Sequence, residues 1–154
     1  MIEEKISKET AKQMQPLVLA MIGDGVQTLF VREYVAKNFG VKVNKMNKIV
    51  TSVVKAGSQC ETFKKIENEL SEEEKDIAHR ARNTHIHSKA KNFSYFEYIC
   101  ATALEALIGY LYLTGQDERL DYVLNLSLQE LKVPANTGLS YVFITIRPKS
   151  SFIK

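Results

Sequence analysis

The chain has 154 residues, of which 45% are hydrophobic and 25% are charged. This is enough for one domain with its own core, and the composition gives no reason to expect a second core. The N-terminal segment lacks the apolar run of a secretory signal. The apolar segment that ends at Leu113 contains Glu105 and is shorter than the roughly 20 residues of a spanning helix. We therefore expect a soluble cytoplasmic protein with no membrane partner.

The net charge of +3 lies in the last 22 residues, which contain three basic side chains and no acid. The first 132 residues are therefore neutral overall, but their charges are segregated. Residues 40–60 and 79–92 carry basic side chains without an acid, whereas residues 61–76 are mainly acidic. Such basic segments are typical of a surface that binds a polyanion, and equally of solvated helix faces.

The body of the chain has the periodicity of helices. Pro16 can occupy the first turn of a long helix that ends at Asn38 to Gly40. This helix is apolar on nearly every face, which predicts burial in the core. Asn44 can cap a second helix, and Gly57 is expected to interrupt or kink it.

Two capping boxes predict the starts of two more helices: Ser71 with Glu74, and Ser94 with Glu97. The first of these helices is expected to end near Arg82, and the second to end near Gly115. The segment between them, residues 83–93, is predicted to be a basic loop that contains histidines. Residues 116–132 have the pattern of a further amphipathic helix.

Beyond Pro134 the pattern changes to the β-prone segment YVFITI, which has no obvious partner strand. The sequence thus predicts an all-α domain over residues 1–132 and a short C-terminal appendage over residues 133–154. Cys60 and Cys100 lie in helical patterns and show no metal-binding spacing, so we expect them to be reduced packing residues.

Two carboxylates stand out because each is the single acid of an apolar helical segment. Asp24 lies in LVLAMIGDGVQTLFV and Glu105 lies in YICATALEALIGYLYL. An acid in apolar surroundings costs free energy unless a cation, a hydrogen-bond donor or water compensates its charge. Small residues surround both acids, so two helices crossing there would bring the carboxylates together. Oxygen ligands of this kind suit Mg²⁺, or Mn²⁺ as a substitute, and such a site can hydrolyse a phosphodiester.

Spacing alone leaves a structural alternative open. In that alternative, each acid accepts hydrogen bonds from an arginine, a tyrosine hydroxyl or a helix N-terminus and only fixes packing.

The segments around both acids resemble the two signature helices of the ribonuclease III catalytic domain. The intervening HRARNTHIHSKAKN is similar in position and length to the basic loop of the Mini-ribonuclease III branch, which has no separate double-stranded-RNA-binding domain. The resemblance covers about residues 15 to 132. It implies a ribonuclease III-type helical homodimer that cuts double-stranded RNA with magnesium, typically during maturation of the large-subunit (23S) ribosomal RNA precursor. A ribosomal protein is a possible helper.

The resemblance implies site residues as well. Asp24 and Glu105 are expected to be the catalytic residues and the magnesium ligands. Phosphate contacts are expected from four basic residues, and Asn83 is expected to pin the loop in the same RNA-binding segment. The four basic residues are Arg80, Arg82, Lys89 and Lys91.

The chain departs from the family pattern at several positions. Full-length ribonuclease III enzymes carry further acids where this sequence has Leu17, Ala20 and Thr102, and their loss is usual in the Mini-III branch. Gly25 replaces an alanine that is common in the family. The loop and the start of the following helix differ at His85, Ile86, His87, Ala90 and Ile99. These changes bear on substrate preference more than on the chemistry.

Two other functions remain open from the sequence. A non-catalytic RNA-binding or ribosome-assembly module could keep the same fold, although such a protein would be free to lose Asp24 or Glu105. A helical dimer module for protein partners would need neither magnesium nor duplex RNA.

Overall fold

The computed structural model describes residues 4–84 and 93–134. Within these ranges the chain forms seven α-helices and two short 3₁₀ helices, and no strand. The α-helices are α1 (Lys8–Gln13), α2 (Pro16–Phe39), α3 (Val43–Val54), α4 (Ala56–Ile66), α5 (Glu72–Asn83), α6 (Phe93–Leu113) and α7 (Asp117–Ser127). The 3₁₀ helices are Glu67–Glu69 and Leu128–Glu130. The all-α prediction is confirmed for the described residues. The β-prone segment lies outside them.

Local sequence chemistry explains most of the helix boundaries. Pro16 occupies the first turn of α2, and Gly40 ends that helix with a φ of 55°, a conformation that favours glycine. At the start of α5, the Ser71 hydroxyl accepts from the Glu74 amide while the Glu74 carboxylate accepts from the Ser71 amide. Gly115, with a φ of 69°, follows the end of α6.

Other boundaries differ from the prediction. The second helix begins at Val43 rather than after an Asn44 cap, and its interruption falls at Lys55, whose extended backbone separates α3 from α4. Helix α6 already includes Phe93, so Ser94 lies within the helix. The Glu97 carboxylate lies against Gly57 of α4. These shifts of one or two residues reflect packing between helices, which local caps do not encode.

Helix α6 is the centre of the fold and packs against α2, α4, α5 and α7. It supplies a large share of the main hydrophobic core, and a second cluster joins α2, α3 and Leu128. Its segment Ser94–Leu113, with mean hydropathy 1.3, is long and apolar enough to cross a membrane by length and composition. Because 61% of that segment is buried inside the fold, its apolar character is that of a core helix.

Helix α2 differs from its prediction. One side packs into the core through residues such as Leu19, Val31 and Val35. The opposite side exposes a row of large apolar side chains, so the expectation of burial on nearly every face was wrong for this half of the helix. The exposed residues are Leu17, Val18, Met21, Ile22 and Leu29.

Helices α2 and α6 touch backbone to backbone at two glycines. An ideal Cβ on Gly23 would lie 1.8 Å from the carbonyl oxygen of Glu105, and one on Gly109 would lie 2.0 Å from the carbonyl oxygen of Leu19. Real Cβ atoms do not make contacts this short, so no larger residue fits at either position. At Gly25, two residues after Gly23, nothing lies within 4 Å of an added Cβ.

This contrast gives a matched pair of substitutions. Gly23→Ala should reduce the free energy of unfolding by about 1–3 kcal/mol, because α2 and α6 must move apart. Gly25→Ala should leave it unchanged or raise it by up to about 1 kcal/mol, because alanine favours a helix over glycine. Urea denaturation of both variants measures the difference. Equal stability of Gly23→Ala and the unsubstituted protein would contradict the close crossing.

Candidate active site

The glycine crossing of α2 and α6 brings the two predicted acids to one place. Gly23 lies against the backbone of Glu105, and Asp24 is the next residue of α2. The two carboxylates also interact electrostatically, because the negative charge of Asp24 contributes to raising the pKa of Glu105. The sequence-based expectation that small residues would let these helices meet here is therefore met at Gly23 and Gly109.

Asp24 lies on the open side of this crossing. Its side chain is exposed, and Oδ1 is 3.5 Å from the hydroxyl of Thr28, one turn further along α2. The apolar surroundings inferred from its sequence neighbours do not exist in the fold, because the adjacent apolar residues of α2 point outward as well. Water and ligands can therefore reach the Asp24 carboxylate directly.

Glu105 is half-buried and has a neutral hydrogen-bond partner. The side-chain amide of Gln59, on α4, donates to Glu105 Oε1 at 3.0 Å. Burial raises the pKa of Glu105 to about 7, the hydrogen bond from Gln59 lowers it, and Asp24 raises it. No basic side chain of the described residues forms an ion pair with Asp24 or Glu105. Within residues 4–84 and 93–134, neither acid therefore has a basic partner.

Two neighbouring carboxylates that lack a basic partner in the described residues are suitable ligands for a divalent metal ion. Mg²⁺ takes one or two protein carboxylates and keeps several waters, so this donor set fits it. No group of three or more histidine, cysteine or acidic side chains that could hold a metal occurs among the described residues. The rest of the coordination shell would therefore have to come from water and from the substrate.

Two buried glutamines complete the site and were missed by the sequence analysis. Gln59 is 2% exposed and its amide nitrogen also donates to Gln27 Oε1 at 2.9 Å. Gln27 is fully buried on α2. For Gln27 the signal in the sequence was a polar residue in an apolar helical segment, three residues after Asp24, whereas no local pattern marks Gln59. Thr102, one turn before Glu105, donates its hydroxyl to the carbonyl of Tyr98.

The predicted RNA-contacting residues fall at the end of α5 and in the following loop. The guanidinium of Arg80 donates to the carbonyl oxygens of Lys12 and Met14, and thereby fixes the end of α1. Arg82 is 40% exposed, forms an ion pair with Glu67 at 3.0 Å and lies over the Phe63 ring. The structure thus gives Arg80 a structural role and leaves Arg82 at the surface.

The other predicted RNA contacts are less defined by the fold. The Asn83 amide lies 3.2 Å from the His79 ring nitrogens at the last turn of α5, so Asn83 belongs to the helix rather than to the loop. Lys89 and Lys91 lie outside the described residues, as do the altered loop positions His85, Ile86, His87 and Ala90. Their roles stay predictions.

Comparison with known proteins identifies the family. The ribonuclease III domain family matches residues 17–116, which include both acids and the whole α2–α6 crossing. The chain belongs to the ribonuclease III domain family. It is 44% identical to a Mini-ribonuclease 3 of Clostridium tetani over 124 residues, which cover 80% of this chain and 82% of that protein. It is 43% identical to a Mini-ribonuclease 3 of a Thermoanaerobacter species over 129 residues, covering 84% and 91%.

A solved structure supports the same fold. A crystal structure of a Fusobacterium nucleatum protein superposes with a TM-score of 0.68 at 37% identity, and the match covers 76% of this chain and 93% of that chain. These relatives confirm the Mini-ribonuclease III branch and the ribonuclease III-type fold predicted from the sequence. The chain is an endoribonuclease of ribonuclease III type, a class that acts on double-stranded RNA.

The buried, uncompensated Glu105 predicts a pH-dependent effect on stability. Its pKa is about 7 in the folded protein and lies near 4.5 when unfolded. Between pH 4.5 and pH 7, Glu105 is ionised in the unfolded chain but still largely protonated in the folded protein. The contribution of Glu105 to the free energy of unfolding of the wild-type protein therefore falls as the pH rises across this range. Glu105→Gln cannot ionise. In the presence of EDTA, its gain in stability over wild type should therefore increase across this range and level off above it.

Chemical denaturation at pH 4.5, 6, 7 and 8 measures this difference. A constant difference between Glu105→Gln and wild type at all four values would show that burial does not penalise the charged carboxylate.

Proposed function

We propose that this enzyme hydrolyses double-stranded RNA with magnesium held by Asp24 and Glu105, that Mn²⁺ can substitute, and that its substrate is the precursor of 23S ribosomal RNA in the cytoplasm. The convergence of two uncompensated carboxylates at the α2–α6 crossing carries the metal part of this proposal. The similarity to Mini-ribonuclease III proteins supports the ribosomal RNA part. A ribosomal protein that presents the RNA is part of the same proposal.

Each residue of the site has a distinct task in this scheme. Asp24, which is exposed, offers oxygens on the side that the RNA approaches. Glu105 offers a second carboxylate, whose orientation is fixed by the amide of Gln59. A bound magnesium ion would lower the pKa of a coordinated water and neutralise charge on the scissile phosphate. No basic side chain of the described residues competes with a cation for the two carboxylates, and a bound cation would favour the ionised form of Glu105.

The end of α5 and the following loop are proposed to contact RNA phosphates. Arg82 and Glu67 form a pair that is 40% and 48% exposed, and such surface pairs contribute little free energy. A phosphate can therefore replace Glu67 as the partner of Arg82. Asn83, Lys89 and Lys91 would extend the contact along the backbone. Arg80 would stabilise this segment rather than contact RNA, since its guanidinium already donates to two carbonyl groups.

The exposed side of α2 supports a homodimer. Its apolar residues recur at intervals of three and four, from Val18 through Met21 and Ile22 to Leu29, and Gly25 leaves room among them for another chain. Met21 is 80% exposed, which is costly for an apolar side chain unless something covers it. A second copy of α2 is apolar in the same pattern. Asp24 directly precedes Gly25 at the edge of this row, so a dimer would place both active sites beside one interface.

Substitution of Asp24 tests the proposed chemistry. Structured ribosomal precursor RNA should be cut by the wild-type protein with magnesium and left uncut with EDTA. Asp24→Asn should reduce the rate by about 100-fold or more, which corresponds to roughly 3 kcal/mol of lost transition-state stabilisation. Asp121→Asn, a change of an exposed acid on α7, is the matched control and should cut normally. Equal rates for both variants would reject the role of Asp24.

A charge on the exposed face of α2 tests the dimer. Met21→Glu should convert a dimer into monomers, because two buried glutamates would face each other across the interface. Val43→Glu alters a side chain of α3 that is 66% exposed, and it should remain dimeric. Size-exclusion chromatography with light scattering gives the mass of each protein. A monomeric wild type, or a dimeric Met21→Glu, would contradict the proposed interface.

A further inference from the structure

We propose that Gln59, held in place by Gln27, is a positioning residue that sets the orientation of Glu105 for metal binding. The proposal rests on the function proposed above, since it assumes that Glu105 is a metal ligand. Its basis is the buried chain of contacts from α2 to α4 to α6: Gln27 Oε1, the Gln59 amide nitrogen and Glu105 Oε1 follow one another at 2.9 and 3.0 Å. Three helices thus contribute one side chain each.

The geometry fixes what the Gln59 amide can do. Both hydrogens of its nitrogen are used, one by Gln27 and one by Glu105, so its donor cannot turn away from the carboxylate without losing both bonds. Gln59 is 2% exposed and Gln27 is fully buried, so water cannot replace either bond easily. The contact occupies Oε1 of Glu105. We therefore assign the other carboxylate oxygen, Oε2, to the metal.

The chemical type of the donor matters as much as its position. A lysine or arginine here would neutralise Glu105 and compete with a cation for the carboxylate. A neutral amide donates a hydrogen bond that fixes the carboxylate, and it brings no positive charge that would compete with a cation. Partners of metal ligands commonly act in this way, and their loss weakens metal binding by about 10–100-fold.

The buried pair of Gln27 and Gln59 lowers the stability of the fold in one respect. The amide nitrogen of Gln27 is buried and has no hydrogen-bond partner. A group of this kind is unfavourable, and apolar residues of similar size at both glutamine positions would remove it. A purely structural pair would be satisfied more fully. The unsatisfied amide indicates that the pair is arranged around Glu105 rather than for stability.

Manganese binding by Gln59→Leu tests the proposal. Mn²⁺ serves as the probe, and electron paramagnetic resonance of free Mn²⁺ gives its dissociation constant without any RNA. Gln59→Leu should bind Mn²⁺ about 10–100-fold more weakly than wild type. Thr62→Val, a buried change on the same helix that does not touch Glu105, is the matched control and should bind normally.

The double variant Gln27→Leu/Gln59→Leu separates positioning from folding. It removes both polar groups together, so it should be as stable as wild type or more stable while Mn²⁺ binding stays weak. Wild-type affinity in Gln59→Leu would overturn the positioning role alone, provided that Glu105→Gln abolishes binding. If wild type itself binds no Mn²⁺, or binds it equally after Glu105→Gln, both the proposed metal site and this inference fail.

A second inference comes from an independent observation, the distribution of unpaired cations. Six lysines of the described surface have acidic partners, for example Lys64 with Glu61 and Lys75 with Glu72, both at 2.8 Å. Around Ser52, in contrast, three lysines have no acidic partner in the described residues. Lys48 and Lys55 flank it in sequence, and the amide of Lys132 donates to its hydroxyl at 2.9 Å. These three lysines are exposed and form no ion pair with the described part of the chain.

We infer that this surface, called the Ser52 patch and made of Lys48, Lys55 and Lys132, contacts the phosphate backbone of duplex RNA beyond the cleavage site. Helix α3 contains no acid, so no charge of its own opposes a polyanion there. Lys55 ends α3 and precedes α4, and its carbonyl accepts from the amide of Gln59, the residue that reaches Glu105. Lys55 therefore lies one helical turn before the residue that binds Glu105.

The salt dependence of RNA binding tests the Ser52 patch. The variant carries Lys48→Gln, Lys55→Gln and Lys132→Gln, and binding is measured in EDTA, which prevents cleavage. Its slope of log affinity against log salt should be shallower than that of wild type by about 2–3, since each lost phosphate contact removes about 0.9. The control carries Lys64→Gln and Lys75→Gln, and should keep the wild-type slope. An unchanged slope in the triple variant overturns the patch, whereas absent binding by wild type overturns the proposed RNA contact as a whole.

Discussion

The structure depends on the backbone contact between α2 and α6. At Gly23 and Gly109 neither helix has a side chain, so the two backbones approach to a distance that any Cβ would prevent. This contact turns two acids that are 81 positions apart in sequence into neighbours. It also fixes which faces of α2 point inward. Core packing, the arrangement of the acids and the exposed apolar row on α2 all follow from one crossing.

The site combines a buried position with an uncompensated charge. Burial raises the pKa of Glu105 to about 7, and Asp24 adds to the effect. An isolated fold would be more stable with a basic residue or an apolar residue there. The arrangement places two carboxylates next to each other at a point that a cation can reach from the exposed side of Asp24. Gln59 fits this logic because it orients the carboxylate without neutralising it.

The sequence predicted the elements whose cause is local. Pro16, Gly40 and the capping box at Ser71 mark helix ends through bonds within one or two turns, and all three are found in the structure. The two acids could be identified because they interrupt apolar segments, and the family resemblance then gave them a role. The exposure of Asp24 could not be predicted, since it depends on which side of α2 meets α6.

Interactions between distant segments were the part that sequence patterns missed. Gln59 is separated from Glu105 by 46 residues and from Gln27 by 32 residues, and no local pattern marks it. Arg80 was assigned to RNA from its basic neighbours, but its guanidinium is held by carbonyl groups at the end of α1, 66 and 68 residues away. Charge clusters in a sequence therefore do not distinguish cations used by the fold from cations available to a ligand.

The same distinction bears on the proposed function, in which one small domain presents acids to a metal and cations to RNA. Cations that stabilise the fold, such as Arg80 and Arg119, are bound to carbonyl groups or to acids such as Glu74. Asp24 and Glu105, the proposed metal ligands, form no ion pair within the described part of the chain. The cations that stabilise the fold must lie apart from these two acids. A basic residue close to Asp24 or Glu105 would form an ion pair with the acid and compete with a divalent cation. Phosphate contacts must therefore lie at the periphery of the carboxylate pair, where cations attract RNA without neutralising the charge that the metal needs.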